Sequence, residues 1–179
     1  MATSYEVLGG VLSALKFYGE AYGRAAEAAR VIAEHVSGPP QVLAFHAAEE
    51  LALFSKVFNL LYEKGVEAMG APPYDARQYL GHVVVSYLAK IGEVLATIRA
   101  KEAVSYEDID HVTSQIILAH RVIASSLVLT LSVLEEYEDE WSLWARLTLE
   151  SLAEEIKLHE AALKKARELV RAMRTTENP

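Results

Sequence analysis

The chain has no cysteine. That excludes disulfides, thiolate metal sites and cysteine nucleophiles, and it suits a reducing cytoplasm, the location expected here. Asparagine and glutamine are scarce: Asn59, Asn178, Gln41, Gln78 and Gln115 are all there are. With the missing cysteine, this leans toward a thermophile's composition. A basic surplus is also lacking, since the net charge is −8. Nucleic-acid binding draws much of its affinity from phosphate contacts and shows a basic face, so no nucleic-acid partner is expected. The late lysines and arginines (Lys157, Lys164, Lys165, Arg167, Arg171) alternate with Glu154, Glu160 and Glu168, as on a solvated helix face. No Gly-rich phosphate loop, His-Glu-x-x-His helix, Gly-x-Ser-x-Gly elbow or Asp-rich Mg motif occurs. The N-terminus carries Glu6 where a signal peptide has its basic region.

What is present is apolar and helical. The hydrophobic content is 52% over 179 residues, enough for one domain with a real core. The most apolar run is Ile116–Leu134, which has one full charge (Arg121) and one histidine (His120). Its uncharged part is shorter than the roughly 20 residues a spanning helix needs. It is expected to be a buried spine, with no membrane partner.

No stretch alternates with period two, and helix signals recur throughout. Breaks fall at Ser37-Gly38-Pro39-Pro40, at Met69–Asp75, at Ala103-Val104-Ser105 and at the acidic cluster Glu135–Glu140. Ser105 followed by Asp108 offers a capping box. Five helices follow, at about 3–37, 41–68, 75–102, 106–136 and 140–174. Short connections between long helices predict an all-α, single-domain, antiparallel up-down bundle over 1–174, with a flexible tail at 175–179. In the first helix Gly19 and Gly23 lie one turn apart, which suits a close helix–helix contact.

Polar groups on apolar arcs are the functional candidates. His46 and Glu50 lie four apart on the second helix, Glu155 and His159 four apart on the fifth, and His120 on the spine. Residues four apart share a face, so each pair could present a nitrogen and a carboxylate together. With turns near residues 72, 104 and 138, Glu50, His120, Glu155 and His159 fall within about 10 Å along the bundle axis, with His46 further out. Imidazole with carboxylate suits Fe, Mn or Zn. The bland alternative is a hydrogen-bonded core histidine, His120 meeting a tyrosine hydroxyl or a carbonyl, with the two His/Glu pairs as edge ion pairs.

Ala153-Glu154-Glu155-Ile156-Lys157-Leu158-His159 resembles the acid-then-histidine helices of ferritin-like and rubrerythrin-like di-iron proteins. The resemblance implies a ferritin-like bundle holding Fe or Mn, with redox chemistry or metal handling as its function and Glu20 or Glu27 as a first-helix ligand. The spacing departs from that family: Glu155-x-x-x-His159 replaces Glu-x-x-His, and His46-x-x-x-Glu50 runs in reverse order. His46…Glu50 also resembles the His-x-x-x-Glu of hemerythrin, without that family's other paired histidines. Arg30…His35 matches the Arg-x4-His spacing of HEPN ribonucleases but lies at the end of the first helix, not on a late helix facing a dimer groove. The expected metal ligands are therefore His46, Glu50, His120, Glu155 and His159. The alternative function is a non-enzymatic bundle for partner binding or self-association, a homo-oligomer joined through the small-residue face of the first helix.

Overall fold

The computed structural model describes residues 4–72 and 75–177, all in helices and short connections. The helices are α1 (Ser4–His35), α2 (Pro39–Met69), α3 (Ala76–Leu80), α4 (His82–Arg99), α5 (Tyr106–Leu134) and α6 (Glu140–Glu177). The class is all-α, with six helices among the described residues where five were expected. The extra boundary is Gly81, which takes a φ of 80° and divides the expected third helix. A left-handed residue cannot continue a right-handed helix, and glycine adopts that conformation without steric cost.

The other boundaries follow local chemistry. Gly38 sits at φ 71° ahead of Pro39 and Pro40 in the first turn of α2. Ser105 and Asp108 form the reciprocal capping box of α5. Asp139 accepts from the backbone N–H of Ser142 at 2.9 Å and from its hydroxyl at 2.6 Å, which anchors the start of α6. At its other end α6 continues through 177, past the expected start of a tail at 175; residues 178–179 lie outside the described residues.

Four long helices enclose the core. α1 packs on α2 and α5, and α6 packs on α2 and α5 across from it. Residue contacts give each pair's direction. Gly19 lies against Asn59 and Arg30 against Glu49. Tyr22 meets His120 while Ile32 lies by Ile109 and Val112, and His120 meets His159 while Asp110 meets Arg167. Trp141 donates its indole N–H to the Leu61 carbonyl at 3.1 Å, and His46 faces His159. Each of these four neighbouring pairs runs antiparallel. α3 and α4 cover the outside of α1, and α4 also touches α5.

The most enclosed helix is α1, not the apolar spine. Residues 8–15 of α1 are all buried, as are Tyr18, Tyr22 and the alanines 25, 26, 28 and 29. In α5 less than half of the most apolar stretch is buried, and Leu118, Val128 and Leu129 are exposed. By length and composition α5 is the one helix among the described residues that could cross a membrane. A helix hemmed in on several sides must be thin, and alanine and glycine make it so. The Ser55 hydroxyl donates to the Gly19 carbonyl at 2.7 Å, and a Cβ on Gly23 would stand 3.2 Å from the Ser55 hydroxyl oxygen. The small-residue face of α1 is thus filled by α2, which removes it as a surface for self-association.

Gly65 gives the sharpest test of this packing. A Cβ there would collide with Leu12 and come within 2.9 Å of the Trp141 ring, both buried. Gly65→Ala is expected to destabilise by about 1–3 kcal/mol through overpacking. At Gly92 the added methyl meets only the flexible end of the exposed Arg24 side chain. There the gain in helix propensity, about 1 kcal/mol, should leave Gly92→Ala neutral or stabilised. Urea unfolding midpoints of the two variants check the contrast.

Candidate functional site

Each of the four enclosing helices contributes one ring to a single buried layer: Tyr22 from α1, Phe54 from α2, His120 from α5 and His159 from α6. Tyr22 Oη lies 2.7 Å from His120 Nδ1. His120 Nε2 lies 2.9 Å from His159 Nδ1. Phe54 packs edge-on against both imidazoles, with ring centroids 5.8 and 5.6 Å away. The result is a continuous hydrogen-bonded chain from α1 through α5 to α6, shielded by an aromatic wall. It ends on His159 Nε2, which is buried without a hydrogen-bond partner.

The layer arises simply from sequence. Tyr22, His120 and His159 occupy core positions of three amphipathic helices, and antiparallel packing brings them level. The α5–α6 register pairs His120 with His159 and Arg121 with Glu160. This lies three residues from the register expected from loop positions alone. Glu160 accepts from Arg121 at 2.7 Å and from Lys164 at 2.6 Å. Partial burial pushes the Glu160 carboxyl up, but the bonds from Lys164 and Arg121 outweigh that and hold it below the usual range.

Burial dominates the electrostatics of the chain. It lowers His120 to about 3, helped by the neighbouring His159 and opposed by Glu160. It lowers His159 to about 4, helped by His46. Burial also raises Tyr22 well above the ordinary phenol. All three rings are therefore neutral at pH 7. In a neutral chain the protons align in one of two ways. Either Tyr22 donates to His120 and the proton arrives on His159 Nε2, or His120 donates to Tyr22, His159 Nδ1 donates to His120, and Nε2 keeps a bare lone pair.

The five expected ligands divide. His120 has both ring nitrogens engaged, so it has no lone pair for a metal unless one of these bonds breaks. His159 has one nitrogen open. His46 is exposed, with its ring centroid 6.4 Å from that of His159. Glu50 is half-buried and Glu155 exposed. Glu50 follows His46 by one turn on α2, and Glu155 precedes His159 by one turn on α6. Because α2 and α6 run antiparallel, the two carboxylate positions are level, about 6 Å along the axis from the histidines. As the side chains stand, no group of three or more His, Asp or Glu among the described residues is gathered closely enough to hold a metal ion. Glu20 and Glu27 are exposed, and Glu27 pairs with Arg99 at 3.1 Å, away from this layer. The His35 ring bonds its own helix at the Val31 carbonyl, 2.7 Å away.

Two further features were not singled out from sequence. Tyr22 as the partner of His120 was hidden among nine tyrosines, although its place on the buried arc of α1 was visible. Asp110 accepts from both Arg167 and Arg171, with each guanidinium making two bonds of 2.7–3.1 Å. The Arg167 and Arg171 bonds hold the Asp110 carboxyl far below the usual range. No family model, curated protein or solved structure matches the chain.

The neutral pair predicts acid sensitivity. The unfolded chain binds these two protons near pH 6.5, the folded chain only near pH 3–4. Stability is therefore full above pH 6.5 and falls as pH drops toward 4, by up to about 1.4 kcal/mol per pH unit for each histidine. Asp110 and Glu160 titrate in the same sense but below this window, because their unfolded values are those of ordinary carboxylates. Urea unfolding at pH 7, 6 and 5 should show the decline, and His120→Gln/His159→Gln should flatten it. A wild-type profile as flat as the double variant's would contradict the assignment.

Proposed function

We propose that the protein is a cytoplasmic, ferritin-like up-down helical bundle that binds an iron or manganese ion at the α2–α6 seam, for metal handling or redox chemistry. The observation that carries this reading is the buried, unpartnered Nε2 of His159 beside the His46 ring. An imidazole nitrogen enclosed without a partner is costly unless something binds it. His159 and His46 supply the nitrogen donors, and Glu50 and Glu155, one turn along the same seam, supply carboxylates by changing rotamer. This mixture of donors suits Fe and Mn.

His120 acts on the site through His159. With the lone pair of His159 kept on Nε2, its proton sits on Nδ1 and is donated to His120 Nε2. The His120 proton then sits on Nδ1 and is donated to Tyr22. The chain thus orients the inner ligand and sets its tautomer, as the outer partners of metal-bound histidines commonly do. His159 is already neutral well below pH 7, so protons compete weakly for its lone pair. A bound iron or manganese ion would supply redox or Lewis-acid chemistry at the seam.

Metal content of protein purified without chelator, with melting temperature after adding Fe(II) or Mn(II), tests the reading. Stoichiometric metal and a raised melting temperature are expected. His159→Ala should abolish both, and His46→Ala should weaken binding by 10-fold or more, roughly the effect of losing a ligand or its partner. Wild-type protein free of metal and unmoved by either ion would sink it.

A second reading, self-association into a homo-oligomer, is favoured by a separate observation. Leu53 and Leu60 on α2 and Trp144, Leu147 and Leu158 on α6 are exposed along two adjacent helices. Several large apolar side chains left exposed on neighbouring helices suit an interface. Sedimentation should show an oligomer that Leu53→Glu/Leu147→Glu converts to monomer; a wild-type monomer at high concentration would remove this reading.

A further inference from the structure

The outer edges of α2 and α6, which pack side by side, each carry a stripe at heptad spacing. On α2 it is His46, Glu49, Leu53, Lys56 and Leu60, all exposed. On α6 it runs from Glu140 through Trp144, Leu147 and Leu158 to Lys165, again all exposed. Steps of three and four residues hold each stripe on one helix face. The cores of the two helices point elsewhere, through Phe54 and Phe58 of α2 and Ile156 and Leu163 of α6. Glu49 accepts from Arg30 through Oε1 at 3.2 Å, an exposed contact. Lys56 forms no ion pair among the described residues.

Each stripe is complementary to its own reverse. Laid antiparallel on a second copy, α2 sets Glu49 against Lys56, Leu53 against Leu53 and His46 against Leu60, centred near residue 53. Treated the same way, α6 sets Glu140 against Lys165, Trp144 against Ala161 and Leu147 against Leu158, centred between residues 152 and 153. Glu154 then meets Ser151 and keeps its own partner, Lys157, at 2.6 Å. The two centres stand at one height. His46 lies beside His159, and Leu61 bonds Trp141, so residue 53 of α2 lies beside about residue 151 of α6, within about 3 Å of the α6 centre along the axis. One two-fold axis running across both helices therefore serves both pairings, as an isologous interface requires. The charges select this arrangement over its alternatives. A parallel pairing of α2 with α2 sets Glu49 on Glu49 and Lys56 on Lys56. Stacking α2 on α6 of the second copy sets Glu49 level with Glu154 and Glu155. Like charges brought together disfavour both.

We infer that the partner for this face is a second copy of the chain, docked α2 on α2 and α6 on α6 in antiparallel fashion about a two-fold axis at Leu53. This rests on the self-association reading and gives it a geometry. The contact also lays Leu60 of the second copy over His46, at the outer edge of the seam. Sedimentation of the full chain and cysteine cross-linking test it. The wild type should be a dimer. Lys56→Glu replaces two attractions by two repulsions and should raise the dissociation constant about 10-fold or more. Glu49→Lys/Lys56→Glu restores opposite charges across the axis and should restore the dimer, because the Arg30 contact it gives up is exposed and worth little. The chain has no cysteine of its own, so Leu53→Cys should join two copies on mild oxidation, while Leu118→Cys on the exposed side of α5 should not. A wild-type monomer at high concentration removes self-association altogether. A dimer indifferent to Lys56→Glu, not restored by the swap, or not joined through Leu53→Cys keeps self-association and overturns this interface.

Discussion

Everything in this bundle depends on keeping α1 thin. α2, α3, α4 and α5 all pack on it, and they reach one another's neighbourhood only because α1 offers glycine and alanine where larger side chains would hold them apart. Gly19 and Gly23 let Asn59 and Ser55 of α2 approach the α1 backbone. Gly65 does the same for Leu12 and Trp141 from the α2 side. Once the backbones are close, the few large residues of α1, Tyr18 and Tyr22, project into the centre and meet Phe58, Phe54 and His120. Small residues thus set the spacing of the bundle, and aromatic residues fill the layer that the spacing creates.

That layer is polar in a place where polarity is expensive. Two imidazoles and a phenol are enclosed together, and each hydrogen bond in the chain spans two helices. The arrangement specifies alignment as much as it stabilises. If α5 slid by one residue against α1 or α6, it would carry His120 away from Tyr22 or His159 and leave buried polar atoms unpaired. Apolar layers above and below tolerate small shifts; this one does not. The unpartnered His159 nitrogen is the exception to an otherwise satisfied chain, and it lies at the margin nearest the exposed His46.

Much of this was legible in the residues. The helical class, the Gly38-Pro39 break, the capping box at Ser105 and the inward position of His120 and His159 all follow from local patterns; for His120 they leave a tyrosine hydroxyl and a backbone carbonyl equally open as partners. The division at Gly81 was not recognised, because an isolated glycine within a helical pattern is ordinarily tolerated. Its left-handed backbone is visible only in three dimensions. The identity of the central helix was misjudged for a different reason. Hydropathy ranks the leucine- and isoleucine-rich α5 highest, yet the position with most neighbours suits alanine and glycine, which score lower. The convergence of Glu50 and Glu155 with the histidines was an argument from height alone. Height does not say which way a side chain leans, and in the structure His120 is committed to Tyr22 and His159.

The incomplete cover of α5 bears on the order in which the chain is made. Its apolar length emerges from the ribosome after α1, α2 and α4 but before α6. The nascent chain can therefore shelter the side of α5 that faces α1, including the Tyr22 side of His120, while the side of α5 that meets α6, with His120 Nε2, waits for a helix that does not yet exist. During that interval the protein presents a long apolar segment of the kind that membrane-insertion machinery reads. The Asp139 cap and the bond from Trp141 to the Leu61 carbonyl lie at the start of α6, the end of that helix that leaves the ribosome first. They fix where the final helix begins and which side of α2 it lies against.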